Sequence, residues 1–234
     1  MEPQPYSFHT LPALFLMETQ LPESMVGDLN IYLDKLMVAE ERKSHAGTLV
    51  GQISHGQQLT MDHLCEEMNE FNVFIQGMGH EYLKKYVEST GNQLSGDKLV
   101  ETDELWSVHS YEKDYNPIHD HGTKTLTGIS CTCWTKVPQQ ILDHPTAGSP
   151  QFSMYNASGN TDGCLAFNYG RNSLIDVDRL SPPQSFIIKP EIGKFLLFPS
   201  WLQHMVYPFE GEGERRTVAA NLNVWTVKDD GTRH

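Results

Sequence analysis

Positive charge is scarce in this chain. Only 17 lysines and arginines face 30 aspartates and glutamates, a formal net charge of −13 over 234 residues. So acidic a surface repels phosphates, and broad binding of nucleic acid or of an anionic membrane is not expected. Long apolar runs are missing too. Segments such as Leu11 to Met17 and Phe195 to Phe198 are far too short to cross a bilayer. The start, Met-Glu-Pro-Gln-Pro, has no basic stretch. It predicts no signal peptide and a cytoplasmic protein. Cysteine is sparse: Cys65, Cys131, Cys133 and Cys164 form no C-x-x-C pair and no zinc-finger spacing. Cys131 and Cys133 alternate along one face of a predicted strand. Small core residues in a reducing compartment explain them better than a thiolate metal site. Internal repeats and low-complexity tracts are absent as well.

The length suits a single domain over residues 1–234, with a helical support region at 1–95 and a β-rich core at 100–230. Pro22-Glu-Ser-Met opens a segment with Met25, Leu29, Leu33 and Leu36 at the spacing of one helix face. A Gly- and His-rich linker follows, from Ser44 to Gln58. Thr60 is the expected cap of a second helix, whose stripe is Leu64, Met68, Phe71, Ile75, Met78 and Tyr82. Gly77 and Gly79 weaken that helix near its end.

From about Leu105 the pattern changes to short alternating runs. Expected strands are 105–111, 126–137, 164–168, 186–189, 195–198 and 217–227. Turn signals lie at Ala147-Gly-Ser-Pro150, Ser158-Gly-Asn160, Ser181-Pro-Pro183 and Gly211-Glu-Gly213. Many short strands with irregular loops predict a mainly β fold, an antiparallel sandwich or barrel with N-terminal helices packed on its outer face.

Three histidines and an arginine carry the chemistry. In a strand, residues i and i+2 point the same way, so His119 and His121 of His-Asp-His would share a barrel lumen while Asp120 turns away. Neutral imidazole is a good ligand for iron, zinc, copper or nickel. An isolated H-x-H is usually two ordinary histidines, but a third candidate, His204, sits just beyond the apolar run Phe195 to Ser200. Eleven residues later Arg215 opens a run with two faces. Arg215, Thr217, Ala219, Asn221 and Asn223 are small and polar, as a lumen requires. Arg216 shares the other face with Val218, Ala220, Leu222 and Val224, which suits packing on the helices. The alternation therefore favours Arg215 for the interior. A register error of one residue would exchange it for Arg216. A guanidinium grips a carboxylate bidentately, and the Thr217 hydroxyl can add a hydrogen bond.

These segments resemble the iron- and 2-oxoglutarate-dependent oxygenases of the double-stranded β-helix (jelly-roll) class. More narrowly, the chain resembles the 2OG-Fe(II) oxygenase group common in phages and bacteria. The matching stretches are Asn116-Pro-Ile-His119-Asp-His121-Gly, Leu126-Thr-Gly-Ile with the strand to Pro138, and Gly163-Cys-Leu-Ala-Phe167. Pro190 to His204 and Arg215-Arg-Thr217 complete the set. The resemblance implies Fe(II) at His119, His121 and His204, and 2-oxoglutarate held by Arg215 and Thr217. It implies dioxygen as oxidant and hydroxylation of an unidentified substrate, a small molecule or a protein side chain. Trp106, Trp134 and Tyr207 line the site or serve as core aromatics.

The usual superfamily triad is two histidines and one carboxylate, whereas His121 stands at the second position here. Asp120 would serve as the acid only if the strand were bulged, and no spacing favours Asp114 or Asp143. Two rival readings remain at this level. One is a cupin-type metalloenzyme that uses no 2-oxoglutarate, for which Arg215 would have no purpose. The other is a non-enzymatic β-sandwich interaction module.

Overall fold

The computed structural model describes residues 14–91, 93–145, 159–170, 185–228 and 230–233. In chain order these form β1 (Met17–Gln20), α1 (Glu23–Val38), β2 (Gln57–Thr60) and α2 (Asn69–Thr90). Next come β3 (Asp97–Ser110), β4 (Asn116–His119), β5 (Gly128–Lys136), α3 (Gln139–Asp143) and β6 (Leu165–Asn168). The chain continues through β7 (Ser185–Ile188), β8 (Lys194–Pro199), β9 (His204–Val206) and β10 (Arg215–Val227). A six-stranded sheet runs in the order β1-β8-β5-β10-β3-β2. A four-stranded sheet runs β4-β9-β6-β7. Every strand pair is antiparallel. The mainly β jelly-roll architecture is thus present, as two open sheets rather than a closed barrel.

Alternation along β10 divides the interior. Val218, Ala220, Leu222 and Val224 join Cys131 and Cys133 of β5 in one core with Met25, Leu29 and Leu33 of α1 and Phe71 and Ile75 of α2. The two cysteines are core residues as expected, and burial pushes both thiols up, Cys131 to about 12. The opposite face meets the smaller sheet through Trp134, Phe198, Leu196, Phe167 and Leu165. Packing of both faces follows directly from the period of two in each strand.

The N-terminal region departs from expectation. The first ninety residues are not helical throughout, because β1 and β2 supply both edges of the large sheet. Thr60 caps no helix: it lies in β2 opposite Trp106 of β3. The helix starts nine residues later at Asn69, and Leu64 is 80% exposed. Pairing with β3 outweighs the local capping signal, a case of tertiary context overriding propensity. The glycines in α2 do not end it. A Cβ at Gly79 would sit 2.8 Å from Val100 Cγ1, so that glycine lets the helix approach β3. The helix ends at Gly91, whose φ of 68° makes a left-handed cap. The turn signals at 147–150 and 181–183, and Ser158, lie outside the described residues.

Candidate active site

His119 is the last residue of β4 and His204 the first of β9, and the two are direct cross-strand partners. His121 lies beyond the end of β4, so strand alternation is not what aims it. Its N–H donates to the Ser200 carbonyl at 2.9 Å. Its ring Nδ1 meets Asn221 Oδ1 at 2.8 Å. Asn221 is paired with Ser130 of β5, whose hydroxyl donates to the same Oδ1 at 2.8 Å.

The three rings converge. Their centroids are 4.3 Å apart for His119–His204, 4.9 Å for His121–His204 and 5.2 Å for His119–His121. One ring nitrogen from each lies within 4.8 Å of the others. The Nδ1 atoms are all committed: that of His119 to Pro117 O at 2.6 Å, and that of His204 to Leu202 O at 2.9 Å. Carbonyl oxygens only accept, so each Nδ1 carries the proton and each Nε2 keeps its lone pair. Burial lowers the pKa of all three rings, that of His121 to about 4 and that of His204 to about 3. Rings near one another add repulsion at His121 and His204. The set therefore stays neutral at pH 7, the state a metal needs.

The acids that might have replaced a histidine are elsewhere. Asp120 is exposed. Asp114 is buried and accepts backbone N–H groups of Ser54, His55 and Tyr111. Asp143 is exposed and takes a hydrogen bond from Gln139.

Arg215 shares a pocket with the three histidines, Thr217 and Trp106. It is 1% exposed, and no described carboxylate lies within ion-pair distance of it. Nη1 donates to Gly163 O at 2.9 Å and Nη2 to Ser110 Oγ at 3.1 Å, while buried Nε has no partner. Gly163 adopts a φ of 66°, and a Cβ there would stand 2.5 Å from Ile141 Cδ1. Desolvation lowers the Arg215 pKa to about 10, which still leaves it charged at pH 7. Among the described residues no carboxylate pairs with it directly, although the charge of buried Asp114 partly offsets that desolvation from a distance.

Residues 104–221, just over half of the chain, match the family described as "Putative 2OG-Fe(II) oxygenase". The chain belongs to this family. It is a non-haem iron oxygenase dependent on 2-oxoglutarate, and the cupin-type and non-enzymatic readings fall away. No curated protein sequence matches it. Solved structures share its fold. The α-ketoglutarate-dependent epimerase SnoN of nogalamycin biosynthesis superposes with a TM-score of 0.57 at 12% identity, over 90% of this chain and 79% of that one. A prolyl-4-hydroxylase from Pseudomonas putida gives 0.51 at 14% identity, over 89% and 91%. HygX from Streptomyces hygroscopicus, solved with nickel and 2-oxoglutarate, gives 0.51 at 10% identity, over 89% and 82%.

All five expected residues of the oxygenase thus line one pocket. Trp106 stands 5.5 Å from the His121 ring and stacks on His45 at 5.2 Å. Trp134 belongs to the core between the sheets, and Tyr207 offers its carbonyl to Arg215 Nη1 at 3.4 Å. The supporting residues Asn221, Ser130 and Ser110 were not singled out by sequence. Alternation already put Asn221 on the pocket face, but its contact with Ser130 needs the β10–β5 register.

Proposed function

We propose that His119, His121 and His204 are the protein ligands of Fe(II), and that Arg215 with Thr217 holds the 5-carboxylate of 2-oxoglutarate. The observation that carries this reading is the convergence of three imidazoles whose Nδ1 atoms are all engaged. The residues present fit both groups: imidazole nitrogens suit iron, and the unpartnered Nε of buried Arg215 suits a carboxylate. When bound, iron and 2-oxoglutarate supply dioxygen activation coupled to oxidative decarboxylation, giving succinate and carbon dioxide.

The chain's own work is to bind and orient. Pro117 O, Leu202 O and Asn221 Oδ1 hold the three rings in one tautomer. Gly163 O and Ser110 Oγ fix the Arg215 fork before the co-substrate arrives. Leu165, Phe198 and Val206 give the pocket an apolar wall that limits water. The reaction is hydroxylation of a small molecule or a protein side chain, in keeping with the family.

We further read the chain as one domain, with 1–95 supporting a core at 100–230. The packing of α1 and α2 on the large sheet supports that reading. A cytoplasmic setting is supported by four unpaired cysteines. Among the described residues no helix is long and apolar enough to cross a membrane.

Adding 2-oxoglutarate to the anaerobic Fe(II) protein tests the reading. A visible metal-to-ligand charge-transfer band is expected, and its absence would overturn the co-substrate assignment. Metal analysis of His204→Ala should show loss of bound iron. Iron content equal to wild type would remove His204 from the ligand set.

A further inference from the structure

The Gly- and His-rich stretch from Ser44 to Gln58 does more than join α1 to β2. Ser44 bridges to Leu59 of β2, and Gln52 bridges to Tyr115, the residue before β4. Strands β2 and β4 are edges of the large and the small sheet. The stretch therefore straps the two sheets together on that side. Leu49 and Ile53 pack from it against Trp106, Val108 and Ala219. Leu49 also lines the pocket of the three histidines. Glycine makes the close approach possible: a Cβ at Gly56 would stand 1.6 Å from the His109 carbonyl oxygen.

One buried side chain pins this strap. Asp114, 1% exposed, accepts the Ser54 N–H at 2.7 Å and the His55 N–H at 3.2 Å through Oδ1. Its Oδ2 accepts the Tyr111 N–H at 3.0 Å, next to Ser110, whose hydroxyl takes Arg215 Nη2. At the other end the His45 ring stacks on Trp106 at 5.2 Å, and the His45 backbone N–H donates to the Gln58 carbonyl at 2.8 Å. Trp106 in turn stands 5.5 Å from the ring of His121. The β3–β10 register pairs Ser110 with Arg215 and Trp106 with Ala219. That offset of four residues, roughly 13 Å, places the wall by Trp106 at the histidine end of the pocket, away from the guanidinium.

We propose that this strap is the substrate-facing wall of the site, with Leu49 as the residue that determines specificity and Asp114 as the positioning residue that holds it there. The substrate then presents a neutral apolar group, aliphatic or aromatic, to the metal. The inference rests on the ligand assignment above. Leu49, Trp106 and Val108 offer hydrocarbon and ring surface at the end of the pocket where a C–H bond has to be brought. A side chain that touches the substrate beside the metal decides by fit which molecules are accepted.

The test uses the full chain loaded with Co(II) and 2-oxoglutarate. Affinity for both is measured first in every variant, because the Asp114 charge also acts on Arg215. Fluorobenzene and, separately, fluoronaphthalene are then titrated. Their fluorine NMR relaxation is read against that of the Zn(II) protein, so that only binding near the metal counts. Fluorobenzene should bind to wild type. Leu49→Ala enlarges the recess and should raise the affinity for fluoronaphthalene relative to fluorobenzene about tenfold. Leu49→Trp fills the recess and should weaken fluorobenzene about tenfold or more. Asp114→Asn should speed hydrogen exchange at the Ser54 and His55 amides and weaken fluorobenzene severalfold, with cobalt still bound.

Wild-type protein that holds cobalt and 2-oxoglutarate but shows no cobalt-dependent relaxation of either probe would overturn the inference and leave the ligand assignment intact. An unchanged ratio of the two probes in Leu49→Ala, or undiminished fluorobenzene binding in Leu49→Trp, would remove Leu49 from the substrate wall. Faster exchange in Asp114→Asn with fluorobenzene bound as in wild type would make Asp114 a structural clip only. Failure of wild type to bind cobalt at all would overturn the ligand assignment and the inference together.

Discussion

Arg215 and Arg216 are neighbours on one strand, yet they sit in opposite electrostatic worlds. Arg216 faces the helices. Its Nε and Nη2 meet the two Glu214 oxygens at 2.7 and 3.0 Å, and Nη2 lies 2.7 Å from Asp34. Glu214 also accepts from His109 Nδ1 at 2.6 Å, and His109 Nε2 meets Ser107 Oγ at 2.9 Å. Arg215 faces the pocket with carbonyl and hydroxyl partners and, among the described residues, no acid within ion-pair distance. The difference separates structure from function. A buried cation with carboxylates in direct contact fastens a helix to a sheet, whereas one with none in ion-pair range among the described residues can take up a ligand, as proposed above.

The sharpest way to break that contrast is to truncate each arginine in turn. Arg215→Ala should weaken 2-oxoglutarate binding by about 10- to 150-fold, the equivalent of a lost charge-assisted pair. Arg216→Ala should leave that affinity near wild type and lower the melting temperature instead. Titration of 2-oxoglutarate into both variants, beside thermal denaturation, checks this. Impairment confined to the Arg216 variant would reverse the assignment of the two faces.

A second test concerns the support behind His121. Asn221→Ala removes its acceptor and should reduce metal affinity by about 10- to 100-fold, as loss of an outer-shell partner commonly does. Competitive chelation reads this out. Unchanged affinity would make Asn221 a packing residue only.

The helix-side network has its own signature in pH. Burial by itself would raise the Glu214 pKa, but hydrogen bonds from His109 and Arg216 outweigh it and hold the carboxyl down at about 2. A depressed carboxylate contributes stability that is complete above its unfolded pKa, near 4.3, and is lost as pH falls toward 2. The loss should be about 2 kcal/mol after allowance for partial exposure. Denaturant melts between pH 6 and roughly 2.5 should be less steep in Glu214→Gln. An identical pH profile in that variant would dissociate Glu214 from acid sensitivity.

The smallest effect is expected at Asp120. It is exposed and outside the histidine cluster, so Asp120→Asn should keep metal and turnover within about twofold. A metal-free Asp120→Asn protein would place an acid in the ligand set.

Local pattern carried much of this molecule. The period of two in 215–224 was enough to assign each β10 side chain to the helix core or to the pocket, because a strand with both faces buried must satisfy two different neighbours. The stretch ending at His204 and the H-x-H pair already pointed to a metal. The sequence did not reveal that His121 lies off the end of β4, since its position comes from the Ser200 carbonyl and from Asn221, both far away along the chain. Nor did it reveal that Thr60 belongs to β2, where a distant strand outweighs a short-range cap.

By itself, then, the sequence determined the residue types of the site, the mainly β class and the two faces of β10. Those depend on periodicity and on the chemistry of single side chains. Tertiary structure alone decided that three imidazoles converge, that Ser130 and Asn221 stand behind one of them, and that Arg215 is buried with no described acid within ion-pair distance. Those depend on register between strands distant in sequence, which no local signal encodes.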